Sequence, residues 1–208
     1  MNQRTFWNSR FKRRKRIGEP TPFAKKVLPL ILKKKYKKIL DLGCGDGRDT
    51  IFFSNKGLDV IAVDFSKNAI KNLESELRKK GIKNAKCEVI DICKDLKLFK
   101  NNSFDAIYSH LSLHYFRDKI TDKIFNELFG ILKKGGLIFI KVKSTEDPLY
   151  GKGKLIEKDM FFYEHIRHFF TKEYLKEKLK RFKILKMGKS SAVYHKYKSV
   201  FIEAMATK

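Results

Sequence analysis

The sequence predicts an α/β fold: a mostly parallel sheet of seven strands, helices on both faces, and an antiparallel hairpin at its C-terminal end. Three observations predict it. Short apolar runs at about 37–42, 59–64, 86–90, 104–109 and 136–142 alternate with helical stretches near 48–56, 67–80 and 118–132. Such alternation marks parallel strands joined by crossover helices. Residues 182–188 and 197–206 read as two strands with no helix between them, which an antiparallel pair at the sheet edge accommodates. Finally, the first strand ends in Asp41 and runs into Gly43-Cys44-Gly45-Asp46-Gly47, where residues without Cβ atoms let the backbone turn sharply and approach a ligand.

Taken in order, residues 1 to about 18 read as an N-terminal cap of unspecified structure. Thr21-Pro22 opens an apolar helix, with Pro22 in the first turn, where no N–H is needed. Pro29 is expected to kink or break that helix. After the second strand, which ends in Asp64, Ser66 is the N-cap of a helix reaching about Lys80 and closed by Gly81. The third strand, Cys87-Glu88-Val89-Ile90, runs into Asp91. Between strand five and the hairpin, Ser144 to Phe170 is polar and aromatic and holds Asp147-Pro148-Leu149-Tyr150-Gly151-Lys152-Gly153. A long connection at the carboxyl edge of a sheet is expected to be a functional lid. The organisation expected is one domain over residues 1–208: a cap at 1–35, a cofactor-binding core at 36–143, a lid at 144–170, and a C-terminal helix and hairpin at 171–208.

The glycine loop is not the dinucleotide fingerprint. That pattern is G-x-G-x-x-G, and Arg48 stands where its third glycine belongs. Nor is it a P-loop, since no Gly-Lys-Ser/Thr follows. Asp41 would repel a pyrophosphate and attract a cationic ligand. Carboxylates recur at the next two strand tips, and a carboxylate at the second can accept hydrogen bonds from ribose hydroxyls.

The run Ile39-Leu40-Asp41-Leu42-Gly43-Cys44-Gly45-Asp46-Gly47 resembles motif I of the class I S-adenosylmethionine-dependent methyltransferases. Ser103-Phe104-Asp105-Ala106-Ile107-Tyr108-Ser109 resembles their motif IV, and Leu132-Lys133-Lys134-Gly135-Gly136-Leu137-Ile138 their turn into strand five. The resemblance covers roughly residues 36 to 145. The layout before motif I, with Trp7 and Pro20-x-Pro22, loosely resembles the tellurite-resistance and thiopurine-type branch. The resemblance implies a Rossmann-like fold with S-adenosyl-L-methionine as cofactor and S-adenosyl-L-homocysteine as product. It implies cofactor contacts from Asp41, Gly43, Cys44, Gly45, Gly47, Asp64, Phe65, Asp91, Ile92 and Ser109. Within that set Asp41 serves the methionine amino group, Asp64 the ribose, Asp91 the adenine amino group, and Phe65 and Ile92 flank the adenine. Ser109 and His110 lie by the methionine end.

Composition narrows the partners. The chain has 208 residues and a net charge of +25, which points either to a polyanionic partner or to lysine enrichment of compositional origin. The dense cluster is Arg10-Phe11-Lys12-Arg13-Arg14-Lys15-Arg16, a candidate RNA-touching arm. No apolar run has the length of a membrane span. The basic N-terminus lacks the apolar stretch of a secretory signal, and Cys44, Cys87 and Cys93 form no C-x-x-C pair. A cytoplasmic location is expected, with no metal, no disulfide and no membrane partner; the oligomeric state is left open.

Methyl transfer from a sulfonium is an in-line displacement in which alignment and exclusion of water carry most of the work. A base is needed only where the acceptor must shed a proton, and His110 and His114 are the candidates. Four residues apart, they would share a face on a helical turn, and no third metal ligand accompanies them. Trp7, Arg48, His110, His114, Tyr150, Phe161 and His165 are the candidate acceptor contacts. His165 and His168 are equally able to line a pocket or sit at the surface, and His195 reaches the site only if the hairpin folds over it. Tyr108-Ser109-His110 is not the (D/N)PP(Y/F) tetrad that grips an exocyclic base amine, and no Pro-Cys nucleophile follows strand four. The expectation is transfer to a small molecule, with an RNA or protein acceptor reached through Arg10 to Arg16 as the alternative.

Overall fold

A computed structural model describes residues 3–13, 17–194 and 197–208. Arg14, Lys15 and Arg16 of the basic cluster, and His195, lie outside the described residues. Seven strands form the main sheet: β1 (Lys38–Leu42), β2 (Asp59–Asp64), β3 (Ala85–Val89), β4 (Phe104–His110), β5 (Leu132–Lys143), β9 (Lys183–Tyr194) and β10 (Tyr197–Thr207). Their order is β3-β2-β1-β4-β5-β10-β9. The first five run parallel, and β10 is antiparallel to both β5 and β9. The expected sheet and hairpin are both present. Strand order reverses between β1 and β4, and ligands of such sheets bind in the crevice beyond the carboxyl ends at that switch.

Period-two alternation sorts the core into two layers. Leu40, Leu42, Ile107, Ile138, Ile140 and Val142 face one side, against Ile124, Phe125 and Leu128 of α5 (Asp118–Ile131) and Leu175 of α6 (Lys172–Lys178). Ile39, Ala106, Tyr108, Leu137 and Phe139 face the other, against Phe23, Val27 and Ile31 of α2 (Pro22–Lys33) and Phe53 of α3 (Arg48–Ser54). Each such side chain, fully buried, contributes about 1.5–3 kcal/mol. The helix α4 (Lys67–Lys79) covers the β2–β3 end through Leu73 and Leu77.

Local chemistry explains the helix starts. Thr21 caps α2, its Oγ1 accepting from the Ala24 N–H at 3.0 Å, and Ser66 caps α4 by accepting from Ala69 at 3.3 Å. Pro29 does not break α2, which runs unbroken from Pro22 to Lys33. Lys25, four residues earlier, is exposed, so the carbonyl that loses its donor lies on the solvent side.

Three further elements depart from expectation. The cap contains a helix, α1 (Gln3–Lys12). The lid contains a three-stranded antiparallel sheet of β6 (Lys154–Glu157), β7 (Met160–Tyr163) and β8 (His165–His168). Strands of four residues are too short to display a period, which is why the lid reads as irregular in the sequence. Its two ends are stapled to the end of β5, with Phe170 N–H donating to the Lys143 carbonyl at 2.8 Å and Thr145 N–H to the Phe170 carbonyl at 3.1 Å. Strand β5 starts at Leu132 rather than after the glycine pair, and its pairing with β4 is irregular between Phe104 and Ala106.

Candidate functional site

A cavity of about 790 Å³ opens over the carboxyl ends of β1, β2, β3, β4 and β5, within the range that holds a cofactor or drug-sized ligand. Its floor is the glycine loop. Gly43, Gly45 and Gly47 all take positive φ, at 72°, 58° and 82°, a conformation that costs other residues about 1–2 kcal/mol. The space is as demanding as the angle: a Cβ on Gly43 would lie 2.3 Å from the Ser112 Cβ, and one on Gly47 2.2 Å from Leu73 Cδ1.

Asp64, at the tip of β2, is held by the loop it faces. Its Oδ2 accepts from Gly45 N–H at 3.0 Å and its Oδ1 from Ser66 N–H at 2.8 Å. Burial pushes its carboxyl up to about 6, although those two amides pull the other way. Asp41 is still more perturbed: burial, then the nearby Asp49, push it up to about 8, while Thr50 Oγ1, donating at 2.6 Å, offsets part of that rise. A cationic ligand would restore the charge of both carboxylates. Asp91, at the tip of β3, accepts from Cys93 N–H at 3.1 Å and from Arg4 Nη2 at 2.5 Å.

The donor set fits the sulfonium nucleoside that the sequence points to. Three carboxylates occupy three adjoining strand tips, Asp64 is pre-oriented by two backbone amides, and Phe65 and Ile92 supply apolar flanks on the same cavity wall. Asp49 also lines the cavity but is engaged by the scaffold. It accepts from Thr21 N–H at 2.7 Å, Thr21 Oγ1 at 2.9 Å and Tyr108 OH at 2.8 Å, tying the start of α2 to α3 and β4.

The roof is α1, a helix that the sequence does not announce. Asn8 docks it on α4: its Oδ1 accepts from Ser66 Oγ at 2.7 Å and its carbonyl from Asn68 Nδ2 at 3.0 Å. Asn72 Nδ2 adds a bond to the Phe11 carbonyl at 2.9 Å. Trp7 then reaches across the cavity to Tyr115 and His165, with ring centroids 5.5 and 5.0 Å away.

The expected contacts divide. Asp41, Gly43, Cys44, Gly45, Asp64, Phe65, Asp91, Ile92, Trp7, Arg48, His110 and His165 line the cavity. Gly47 and Ser109 do not: Gly47 is beneath the loop against Leu73, and Ser109 is wholly buried, its Oγ 2.7 Å from Ser112 Oγ. Tyr150 and Phe161 also stand off the cavity wall. They pack edge-on to one another in the lid, and Tyr150 OH donates to Asp159 at 2.7 Å.

The two histidine candidates part company. Leu111, at φ 58°, breaks the chain direction after β4, and only a 3₁₀ turn at Leu113–Tyr115 follows. His110 and His114 therefore share no helical face. His114 is buried under Tyr115, ring centroids 4.3 Å apart, and does not line the cavity. His110 does, and its Nε2 has no hydrogen-bond partner among the described residues. Burial, then Arg48 and Lys141, hold His110 down to about 3, so its ring is neutral. The wall also includes Arg4, Arg10, Tyr115, Lys143, Tyr163 and Arg167. For Arg4, Lys143, Tyr163 and Arg167 the sequence carries no local signal, because α1, β5 and the lid bring them in from far apart.

Comparison with known proteins agrees with this geometry. Residues 33–190 match a family described as Methyltransferase domain. Phosphoethanolamine N-methyltransferase 1 of Arabidopsis thaliana is 36% identical over 116 residues, which are 55% of this chain and 23% of that protein. The chain thus spans about a quarter of that relative's length. The structure of a SAM-dependent methyltransferase from Methanosarcina mazei superposes with a TM-score of 0.77 at 22% identity, covering 92% of this chain and 99% of the other. The Burkholderia thailandensis 1,6-didemethyltoxoflavin-N1-methyltransferase, with bound 1,6-didemethyltoxoflavin and S-adenosylhomocysteine, has a TM-score of 0.68 at 18% identity, covering 90% and 78%.

Proposed function

The chain belongs to the methyltransferase-domain family of class I S-adenosylmethionine-dependent enzymes, and we propose that its methyl acceptor is a small molecule. The observation that carries this reading is the roof: α1 and the β6–β8 lid close over the cavity, with Trp7 meeting Tyr115 and His165 across it. A roofed pocket with an aromatic cluster across it suits a compact acceptor, whereas a nucleic acid needs an open trough. Arg10, the first residue of the basic cluster, lines this cavity too.

When bound, the cofactor supplies an electrophilic methyl on a sulfonium leaving group. In this reading Asp64 orients the ribose, Asp91 with Phe65 and Ile92 selects the adenine, and Asp41 holds the amino group. Trp7, Tyr115 and the lid exclude water, so that the displacement proceeds in an enclosed site. His110, neutral and with its Nε2 unpartnered among the described residues, hydrogen-bonds the acceptor and turns its nucleophilic atom toward the methyl.

The test combines calorimetry with S-adenosylhomocysteine and methyl transfer from a radiolabelled donor. The radiolabelled reaction is offered a deproteinised small-molecule extract or total RNA. Saturable binding with label in the small-molecule fraction is expected. Label in RNA alone overturns the acceptor assignment, and absence of binding overturns the cofactor assignment.

A further inference from the structure

The cavity's charges are unevenly distributed. Asp41, Asp64 and Asp91 stand at the tips of β1, β2 and β3, while the opposite end carries Arg10 from α1, Lys143 from the end of β5 and Arg167 from β8. These cations converge on one region: Lys143 and Arg167 both act on His114, and Arg10 and Arg167 both act on His165 and Tyr115. Two carboxylates, Asp147 and Glu164, share that end and both act on Arg167, which leaves the three cations one charge in excess. Asp147 is saturated, its Oδ2 accepting from Lys143 Nζ at 2.6 Å and Val200 N–H at 3.0 Å, its Oδ1 from Leu149 N–H at 3.0 Å. Glu164 is exposed.

Arg167 forms no ion pair among the described residues. Its one hydrogen bond there is from Nη1 to the Tyr163 carbonyl at 2.7 Å, and desolvation is the largest influence on it. Arg10 likewise pairs with no carboxylate among the described residues and lies over the Trp7 ring, 5.7 Å from its centroid. The half-buried Arg167 guanidinium feels Glu164 and Asp147 but touches neither, a costly arrangement for a desolvated charge, and its planar fork matches an oxyanion in two-point contact.

We propose that this end of the cavity is an anion subsite, in which Arg167 and Arg10, backed by Lys143, bind a phosphate or carboxylate carried by the methyl acceptor. The proposal rests on the small-molecule reading above and names the class of that molecule. Arg48 is left out of the subsite. It stands beside Asp41 and acts on both Asp41 and His110, so it lies on the seam with the cofactor's own carboxylate.

The test titrates the protein, saturated with S-adenosylhomocysteine, with inorganic phosphate and separately with acetate at fixed ionic strength. Saturable binding of one or both is expected, and the stronger of the two identifies the anion. Arg167→Gln should weaken it about tenfold or more, Arg167→Lys should recover part of the loss, and affinity for S-adenosylhomocysteine should change less than about threefold. Arg10→Gln, at an exposed site, provides the second variant should Arg167→Gln fail to fold, and should weaken anion binding severalfold. No saturable binding of either anion, or binding indifferent to both variants, overturns the proposal. An equal loss of S-adenosylhomocysteine affinity in Arg167→Gln also overturns it, because the guanidinium would then serve the cofactor. Failure of the protein to bind S-adenosylhomocysteine at all would instead strike the methyltransferase reading.

Discussion

Arg4 donates to Asp91 Oδ2 at 2.5 Å while its guanidinium carbon lies 5.7 Å from the centroid of the Phe65 ring. A planar cation thus occupies the two side chains assigned to the adenine, one hydrogen-bonding and one stacking. Adenine must displace it from both. The Arg4 side chain is 53% exposed, and pairs of that kind contribute about 0.2–1 kcal/mol. Arg4→Ala should therefore tighten S-adenosylhomocysteine binding by up to about fivefold. Weaker binding in the variant would mean that Arg4 closes on the bound nucleoside instead of competing with it.

Asp64 supports the loop as well as facing the ligand, so alanine there confounds folding with binding. Asparagine keeps an acceptor for one of the two amides and removes the charge. Asp64→Asn should cost about tenfold or more in affinity for the nucleoside, as expected for losing a charge-assisted pair. The melting temperature should move by only a few degrees. A variant with unchanged affinity would remove Asp64 from the cofactor site.

The ligand-free protein should have a two-limbed dependence of stability on pH. Asp41 and Asp64 keep their protons to about 8 and about 6 in the folded chain, above their unfolded values. Their contribution is full below about pH 4 and is lost as pH rises through the folded values. His110 and His165, held down to about 3 by burial, behave in reverse: their contribution is full above about 6.5 and lost as pH falls through the folded value. His114 and His168 are shifted in the same direction. The melting temperature should rise from acid to about pH 6.5 and then decline toward pH 8 while the folded Asp41 keeps its proton, levelling once it ionises. Asp41→Asn should flatten that decline, and an identical decline in the variant would rule Asp41 out as its source.

Two glycines separate strain from crowding. Gly57 has φ 79° with open space where a Cβ would project, whereas Gly43 has φ 72° and Ser112 only 2.3 Å from that position. Gly57→Ala should cost about 1 kcal/mol, the backbone term alone. Gly43→Ala must also move Ser112, whose Oγ donates to the Leu42 carbonyl at 2.6 Å. Its cost should be several times larger, with nucleoside affinity lost as well. Equal melting temperatures for the two variants would refute the crowding at the loop.

The cofactor end of this site was legible because its signal is local. Asp41, Asp64 and Asp91 each follow an apolar run, and Gly43 and Gly45 sit where the first strand must turn. The acceptor end was not. Arg10 and Arg167 belong to α1 and to a four-residue strand, neither of which has an apolar rhythm to fix its facing. His114 misled because its spacing from His110 suits a helix, and only the left-handed Leu111 shows that none forms there. Pro29 misled because its cost depends on whether the orphaned carbonyl is wet, which no residue type reveals.

The helix Gln3–Lys12 touches both halves of the cavity, Asp91 through Arg4 and His165 through Trp7. One wall therefore serves both ends of the cavity. Were it to swing aside to free a nucleoside, it would also bare the acceptor end, and the two products would share one doorway. Turnover would then be paced by that single movement, and pinning the helix to α4 beneath it would slow the release of both products together.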